Sequence, residues 1–152
     1  MVNSDLLLLK KLREETAASI ADCRRALDES GGDYKKALAW IQKRSAEIAA
    51  KKADRATAEG LIEAYIHQGG KVGVLVELLC ETDFVARTDD FKHLARELGM
   101  QVAAMNPKDV DELLKQEYIR DSSQTIEQLV KGVIGKLGEN ITVKRFTRFE
   151  IG

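Results

Sequence analysis

Glu81-Thr-Asp-Phe-Val-Ala-Arg87 is the stretch of this chain best equipped to act on something else. It follows an apolar run, Val72-Gly-Val-Leu-Val-Glu-Leu-Leu-Cys80, and precedes a helical pattern that starts at Asp89. Asp83 and Phe84 therefore set a carboxylate beside a large apolar ring at a strand-to-helix turn. An acid next to a wedge, supported on both sides, suits prying a group out of a partner. The plainer reading of the same residues is Phe84 as ordinary core and Asp83 as a carboxylate that complements a helix dipole.

The other reactive side chains offer little. Cys23 and Cys80 lie within apolar patterns, without the close spacing of a zinc site or a redox pair. They read as reduced, small core residues. His67 falls in a loop before a strand, and His93 on the surface or rim of a helix. An enzyme built from Cys80, His67 and Asp83 is the weakest of the functional readings. No Gly-rich phosphate loop is visible, so the chain is expected to bind no nucleotide itself, and neither a metal nor a cofactor is implied. From Lys35 to Arg55, seven basic residues (Lys35, Lys36, Lys43, Arg44, Lys51, Lys52, Arg55) stand against Glu47 and Asp54. Without interleaved aromatics this reads as a solvated helix face rather than a direct nucleic-acid contact.

The elements that must position these residues follow from periodicity. The chain has 152 residues, a net charge of −1 and 32% charged residues. That is enough to bury a core without disulfides or metal. Three short helices are expected first. One spans about 5–14, with Leu6, Leu9 and Leu12 as its stripe. The second begins at Ser19, which pairs with Asp22, and has Ile20, Cys23 and Leu27 as its apolar face. After Gly31-Gly32, Asp33 caps a third, with Tyr34, Ala37, Leu38 and Ile41 at i, i+3, i+4, i+7. Residues 45–59 carry Ala, Lys and Glu without a breaker and read as an exposed helical linker with one face lightly packed.

Strand chemistry begins at Gly60. Leu61–Ile66 and Val72–Cys80 flank a glycine-containing hairpin, His67–Lys71. The run Val74–Leu79 predicts a central strand. A helix from Asp89 or Asp90 buries Phe91, Leu94, Ala95, Leu98 and Val102 and closes at Asn106-Pro107. Asp109 with Glu112, and Thr125 with Gln128, open two more. The latter has Ile126, Leu129, Val133 and Ile134 on one face and Gly138 as its cap. A last strand spans Ile141–Ile151, with Ile141, Val143, Phe149 and Ile151 sharing one parity. The expected class is α+β: a three-helix module over 1–45, a helical linker over 46–59, and over 60–152 a small antiparallel three-stranded sheet packed with helices. No apolar run approaches the roughly 20 residues a membrane span needs. No signal peptide is seen, because Lys10, Lys11 and Arg13 follow Leu6–Leu9 rather than precede it. A cytoplasmic protein without membrane partners is expected.

Several segments together resemble a known family. Leu12-Arg-Glu-Glu-Thr-Ala, Asp22-Cys-Arg-Arg-Ala-Leu, Gly32-Asp33 with Ala37, Ala50-Lys-Lys-Ala-Asp-Arg-Ala and Glu59-Gly60 are similar to the amino-terminal signature of bacterial translation elongation factor Ts. Tyr65-Ile-His67, Gly73-Val-Leu-Val-Glu77 and Glu81–Arg87 are similar to its second signature. Gly138-Glu-Asn-Ile, Arg145-Phe and Arg148-Phe-Glu resemble its closing strand. The matches span nearly the whole chain in the family's order.

The resemblance implies a non-enzymatic nucleotide exchange factor for elongation factor Tu. The three-helix module is then of ubiquitin-associated type and docks on the G domain of the GDP-bound partner through Leu12, Arg13, Ile20 and Ala21, with His67 of the core also facing it. Thr82, Asp83, Phe84 and Val85 disturb the partner's magnesium site so that GDP leaves. The alternative is an adaptor with the same module that binds another protein without exchanging nucleotide. Three departures stand out. Thr16-Ala-Ala-Ser19 replaces the usual Thr-Gly-Ala-Gly. Ile20 and Ala21 stand where two methionines are common. Only Asp109–Gln124 occupies the interval in which longer members carry a helical hairpin. Some short members are homodimers. A homodimer is expected here as well, with Ile141–Ile151 as the place of pairing. Thr147 stands where some short relatives have cysteine, so no disulfide is available there.

Overall fold

The computed structural model describes residues 2–152, with side chains from Ser4 onward. Helices α1 (Val2–Thr16), α2 (Ile20–Glu29) and α3 (Tyr34–Lys52) open the chain. The expected caps form. The Ser19 hydroxyl accepts the Asp22 N–H at 3.0 Å, and the Asp33 carboxylate accepts that of Lys36 at 3.1 Å. Leu12, Cys23, Ala26, Leu27, Ala37 and Ile41 make a small separate core. Two details differ from the sequence reading. α1 is longer than 5–14, and its buried stripe runs through Leu8, Leu9 and Leu12, leaving Leu6 exposed.

α3 also departs from expectation. It does not break near Ser45 to begin a separate linker helix. It continues unbroken to Lys52, and residues 53–58 are not helical. Its second half packs on the main core, where Ala49 is buried. Its neighbour there is helix α7 (Ile126–Leu137). A Cβ added at Gly135 of α7 would lie 2.7 Å from the Ser45 Oγ and 3.0 Å from its Cα. Glycine at 135 is therefore what lets the two helices approach so closely.

The core is a three-stranded antiparallel sheet with helices on one face. Its strands are β1 (Glu59–Ile66), β2 (Val72–Cys80) and β5 (Ile141–Glu150), in the order β1-β2-β5. β2 is central, as its apolar run predicts. Between β2 and β5 come α4 (Asp83–Ala86), α5 (Asp89–Met105), α6 (Val110–Lys115), β3 (Glu117–Tyr118), β4 (Asp121–Thr125) and α7. The fold is mixed α+β, with the three-stranded sheet and the N-terminal helices that the sequence predicts. The four-residue α4 and the β3–β4 pair were not anticipated.

α5 is the main helix under the sheet. Phe91, Leu94, Ala95, Leu98 and Val102 are all buried. Thr88 caps its start, accepting the Phe91 N–H at 3.2 Å. Asn106, left-handed at φ +47°, closes it ahead of Pro107. The Arg148 guanidinium then donates twice to the Ala103 carbonyl, at 3.0 and 3.2 Å, placing positive charge where the helix dipole is negative. Two buried polar residues of α5 hold the β3–β4 pair. Glu97 accepts from the Tyr118 hydroxyl at 2.8 Å and from Arg120 Nε at 2.7 Å, and Gln101 bonds the backbone of Glu117 and Ile119.

β5 does not keep one parity throughout. Its register against β2 shifts between Glu77 and Leu78, which pair with Arg145 and Val143, leaving Lys144 as an extra bulged residue. Ile141 and Val143 therefore face the helices, whereas Phe149 is 71% exposed on the opposite face. That outer face carries Ile66, Gly73 and Phe149 in one cross-strand row and Ala64, Leu75 and Thr147 in the next. In the row beyond, Ile62 and Arg145 flank Glu77, and Arg145 Nε bonds the Glu77 carboxylate at 2.8 Å. No helix among the described residues is long and apolar enough to cross a membrane.

Candidate functional site

β2 delivers the chain to its most distinctive surface feature. The strand is buried through Cys80, and the chain then turns at Glu81-Thr82 into the single turn α4. One helical turn has no intrinsic stability, because nucleation is not repaid by propagation. It must be held from outside. Val85 and Ala86 supply packing, each 8% exposed, with Val85 and Ala86 directed into the core. Thr82 supplies the cap, its hydroxyl accepting the Val85 N–H at 3.4 Å. Its carbonyl accepts the Cys80 thiol at 3.1 Å and the Ala86 N–H at 3.3 Å.

Thr82 is gripped in turn by a residue that sequence reasoning did not single out. Glu139 accepts the Thr82 N–H at 2.9 Å through Oε1 and the Thr82 hydroxyl at 2.6 Å through Oε2. It sits between Gly138, the left-handed cap of α7, and Ile141, which pairs with Cys80 in the ladder. The partners are 57 positions apart, so no local pattern announces the contact. Burial pushes the Cys80 thiol up to about 11, with the Glu139 charge adding to the effect. Cys80 is thus a protonated packing residue, not a nucleophile. Cys23 is likewise buried, and burial raises its thiol.

The result of this support is a display. Phe84 projects with 79% of its surface exposed, the highest value among the exposed large apolar residues. The core reading of Phe84 is corrected by this placement: the two inward positions of α4 are already taken by Val85 and Ala86. Asp83 begins α4 and is also exposed. Its carboxylate accepts from Arg87 Nη2 at 2.6 Å, one helical turn on. The helix-start role and the projecting role of Asp83 are therefore compatible.

The remaining predicted residues lie elsewhere. Arg13, Ile20 and Ala21 are exposed on the three-helix module. Leu12 is not. It is 0% exposed in the module core, so it holds the bundle together and presents nothing to a partner. The loop between α1 and α2 is unusual: Ala17 is left-handed at φ +49°, a conformation that costs a residue with a Cβ. A cleft of about 140 Å3 separates this loop from Gly132, Gly135 and Lys136 of α7. His67 lies at the hairpin, its Nδ1 3.2 Å from the Tyr65 hydroxyl. The hairpin and the Thr82 turn cap opposite ends of β2, roughly 25–30 Å apart for nine residues of strand. The hairpin and the turn therefore do not share a pocket. Among the described residues, no group of three or more His, Cys, Asp or Glu could hold a metal ion. His93 is on the surface of α5, 3.6 Å from Glu97.

Comparison with known proteins finds relatives of this chain over nearly its whole length. A family model described as Elongation factor TS matches residues 81–152, which begin at the turn that displays Phe84. Elongation factor Ts of Oleidesulfovibrio alaskensis is 43% identical over 190 aligned positions, covering 95% of this chain and 96% of that protein. The Thermotoga neapolitana protein of the same name is 44% identical, covering 95% of each. That of Synechococcus sp. (strain JA-3-3Ab) is 41% identical, covering 97% of this chain and 69% of its own length. An α+β chain with a three-helix N-terminal part, matched over nearly its whole length, defines a translation elongation factor. The chain belongs to the elongation factor Ts family. The 190 aligned positions exceed the 152 residues of this chain, so that relative carries residues with no counterpart here.

Proposed function

We propose that this chain is the guanine nucleotide exchange factor for elongation factor Tu. It binds the GDP-bound GTPase in the cytoplasm and speeds loss of GDP so that GTP can enter. The observation that carries the reading is the exposed Phe84 beside Asp83 on a turn held from several directions. A large apolar ring kept 79% exposed on a stabilised support has no folding purpose.

The physical account is linkage. GDP is held on such a GTPase by phosphate contacts and by magnesium, which neutralises the phosphates. A protein that binds the nucleotide-free form more tightly than the GDP form must weaken GDP by the same factor. Phe84 supplies anchoring free energy by filling an apolar pocket in the partner, and buried aromatic anchors commonly carry about 2–4 kcal/mol. Asp83 brings a negative charge to the magnesium surroundings and disturbs its ligand shell. Thr82 and Val85 hold the pair in place. Arg13, Ile20 and Ala21 dock the module on the G domain, and His67 extends the contact along the core. No covalent bond is made or broken by this chain, so it is not an enzyme in the ordinary sense.

The reading extends to assembly. The outer sheet face, with Ile62, Ile66, Leu75 and Phe149 exposed, fits a second copy of this chain. Both β1 and β5 are edge strands, and such edges are usually covered or paired. Light scattering across a hundredfold dilution is expected to show a dimer that dissociates as the protein is diluted. A monomer mass throughout would remove this part of the proposal.

A further inference from the structure

We infer that Glu139 is the positioning residue of the exchange turn: by bonding both the N–H and the hydroxyl of Thr82, it fixes the direction in which Asp83 and Phe84 are presented. The inference rests on the exchange reading for its functional consequence, but its structural part stands alone.

Phe84 is 79% exposed and so has almost no packing to aim it. Its direction is inherited from the backbone of α4, and α4 is only four residues long. Packing of Val85 and Ala86 fixes one side of that turn. Its entry depends on Thr82, whose N–H and hydroxyl have Glu139 as their shared acceptor, at 2.9 and 2.6 Å. Two parallel bonds donated to one carboxylate fix orientation as well as distance. The Thr82 hydroxyl, having donated to Glu139, is left with its lone pairs toward the Val85 N–H, which is the orientation a helix cap requires. Glu139 thus sets the cap as well as the residue.

The carboxylate is itself well anchored. Gly138, at φ +75°, ends α7, and Ile141 is already in the ladder opposite Cys80. The intervening Asn140 is 8% exposed and donates to the Ala53 and Arg55 carbonyls at 3.3 and 2.9 Å. Adjacent side chains at this corner therefore hold the exchange turn and the turn that leaves α3. The corner relates the module's last helix to the displayed Phe84 through two residues.

If Glu139 is lost, the turn is expected to open more often, and the fraction of molecules with Phe84 correctly presented falls. Apparent partner affinity falls with that fraction. Hydrogen exchange by mass spectrometry or NMR on Glu139→Ala should show the Val85, Ala86 and Arg87 amides exchanging at least about tenfold faster, a factor worth about 1.4 kcal/mol. Amides of α5 and β2 should keep their rates. Glu139→Gln keeps the side-chain length and one acceptor but replaces the other with an amide donor, so it should restore only part of the protection. GDP release from elongation factor Tu at limiting factor should slow for Glu139→Ala and recover only in part for Glu139→Gln. Unchanged α4 exchange in Glu139→Ala would overturn the inference, as would a uniform rise across the whole core. Faster α4 exchange with no change in GDP release from elongation factor Tu, alongside a Phe84→Ala protein that stimulates that release as well as the unaltered chain, would leave the clamp standing and remove the exchange reading instead.

Discussion

The two regions proposed to meet the GTPase are built in opposite ways. At the exchange turn, Thr82 donates through its N–H and its hydroxyl to Glu139, and its carbonyl receives the Cys80 thiol. At the module loop, Thr16 turns its hydroxyl back to the Leu12 carbonyl at 2.7 Å, and Ala17 sits in a left-handed conformation that glycine would adopt at less cost. One region is over-determined and the other carries strain. The difference matches the tasks proposed for them. A wedge that must displace part of a partner loses its effect if it yields. A docking surface needs only a shape that can be reached on binding.

The largest expected effect breaks the wedge side of this comparison. Phe84→Ala should slow stimulated GDP release by at least about tenfold, since truncating a buried interface aromatic commonly costs 2 kcal/mol or more. Thermal unfolding should move by no more than about 2 °C, because the ring is mostly exposed in the free protein. A large fall in unfolding temperature would instead make Phe84 a structural residue.

A second test probes the rigid support beneath the wedge. Burial raises the Cys80 thiol from its ordinary value of 9.0 to about 11. A raised value means that the folded state favours the protonated form. This contribution to stability is fully present below the unfolded value near 9 and is lost as pH rises toward 11. Denaturant midpoints should therefore fall between about pH 9 and pH 11. Burial and its bond to Glu97 raise the Tyr118 hydroxyl as well, so it deepens the fall from about pH 10 upward. At pH 8, labelling of Cys80 by a thiol reagent should track unfolding. Rapid labelling of the native protein would mean that the turn opens far more readily than its bonds imply.

The smallest effect sharpens the module side. Ala17→Gly should stabilise the protein by about 0.5–1 kcal/mol by relieving the left-handed strain. It is read as a higher unfolding temperature, with affinity for the GTPase little changed. Destabilisation would show that the extra freedom glycine gives the unfolded chain outweighs the strain at φ +49°.

Much of the scaffold was legible because its signals are local. The Ser19, Asp33 and Asp109 caps and the capping box of Thr125 with Gln128 need only three residues of spacing, and all formed. The stripe from Phe91 to Val102 is long enough to fix the face of α5. Local signals end where the fold uses distant partners. α4 is shorter than one period of any hydrophobic pattern. The bulge at Lys144 shifts parity without a glycine or proline to mark it. Leu12 falls within a signature associated with docking, but its place in the helical stripe buries it. Glu139 could be placed at the site only after β2 and β5 had been paired.

The most direct measurement is release of fluorescently labelled GDP from purified elongation factor Tu, followed by stopped flow with and without this chain. The account predicts a rate that rises with the concentration of added protein, by at least about tenfold over the spontaneous rate, which corresponds to about 1.4 kcal/mol of barrier. Tight binding of the chain to elongation factor Tu with GDP release left at its spontaneous rate would contradict it.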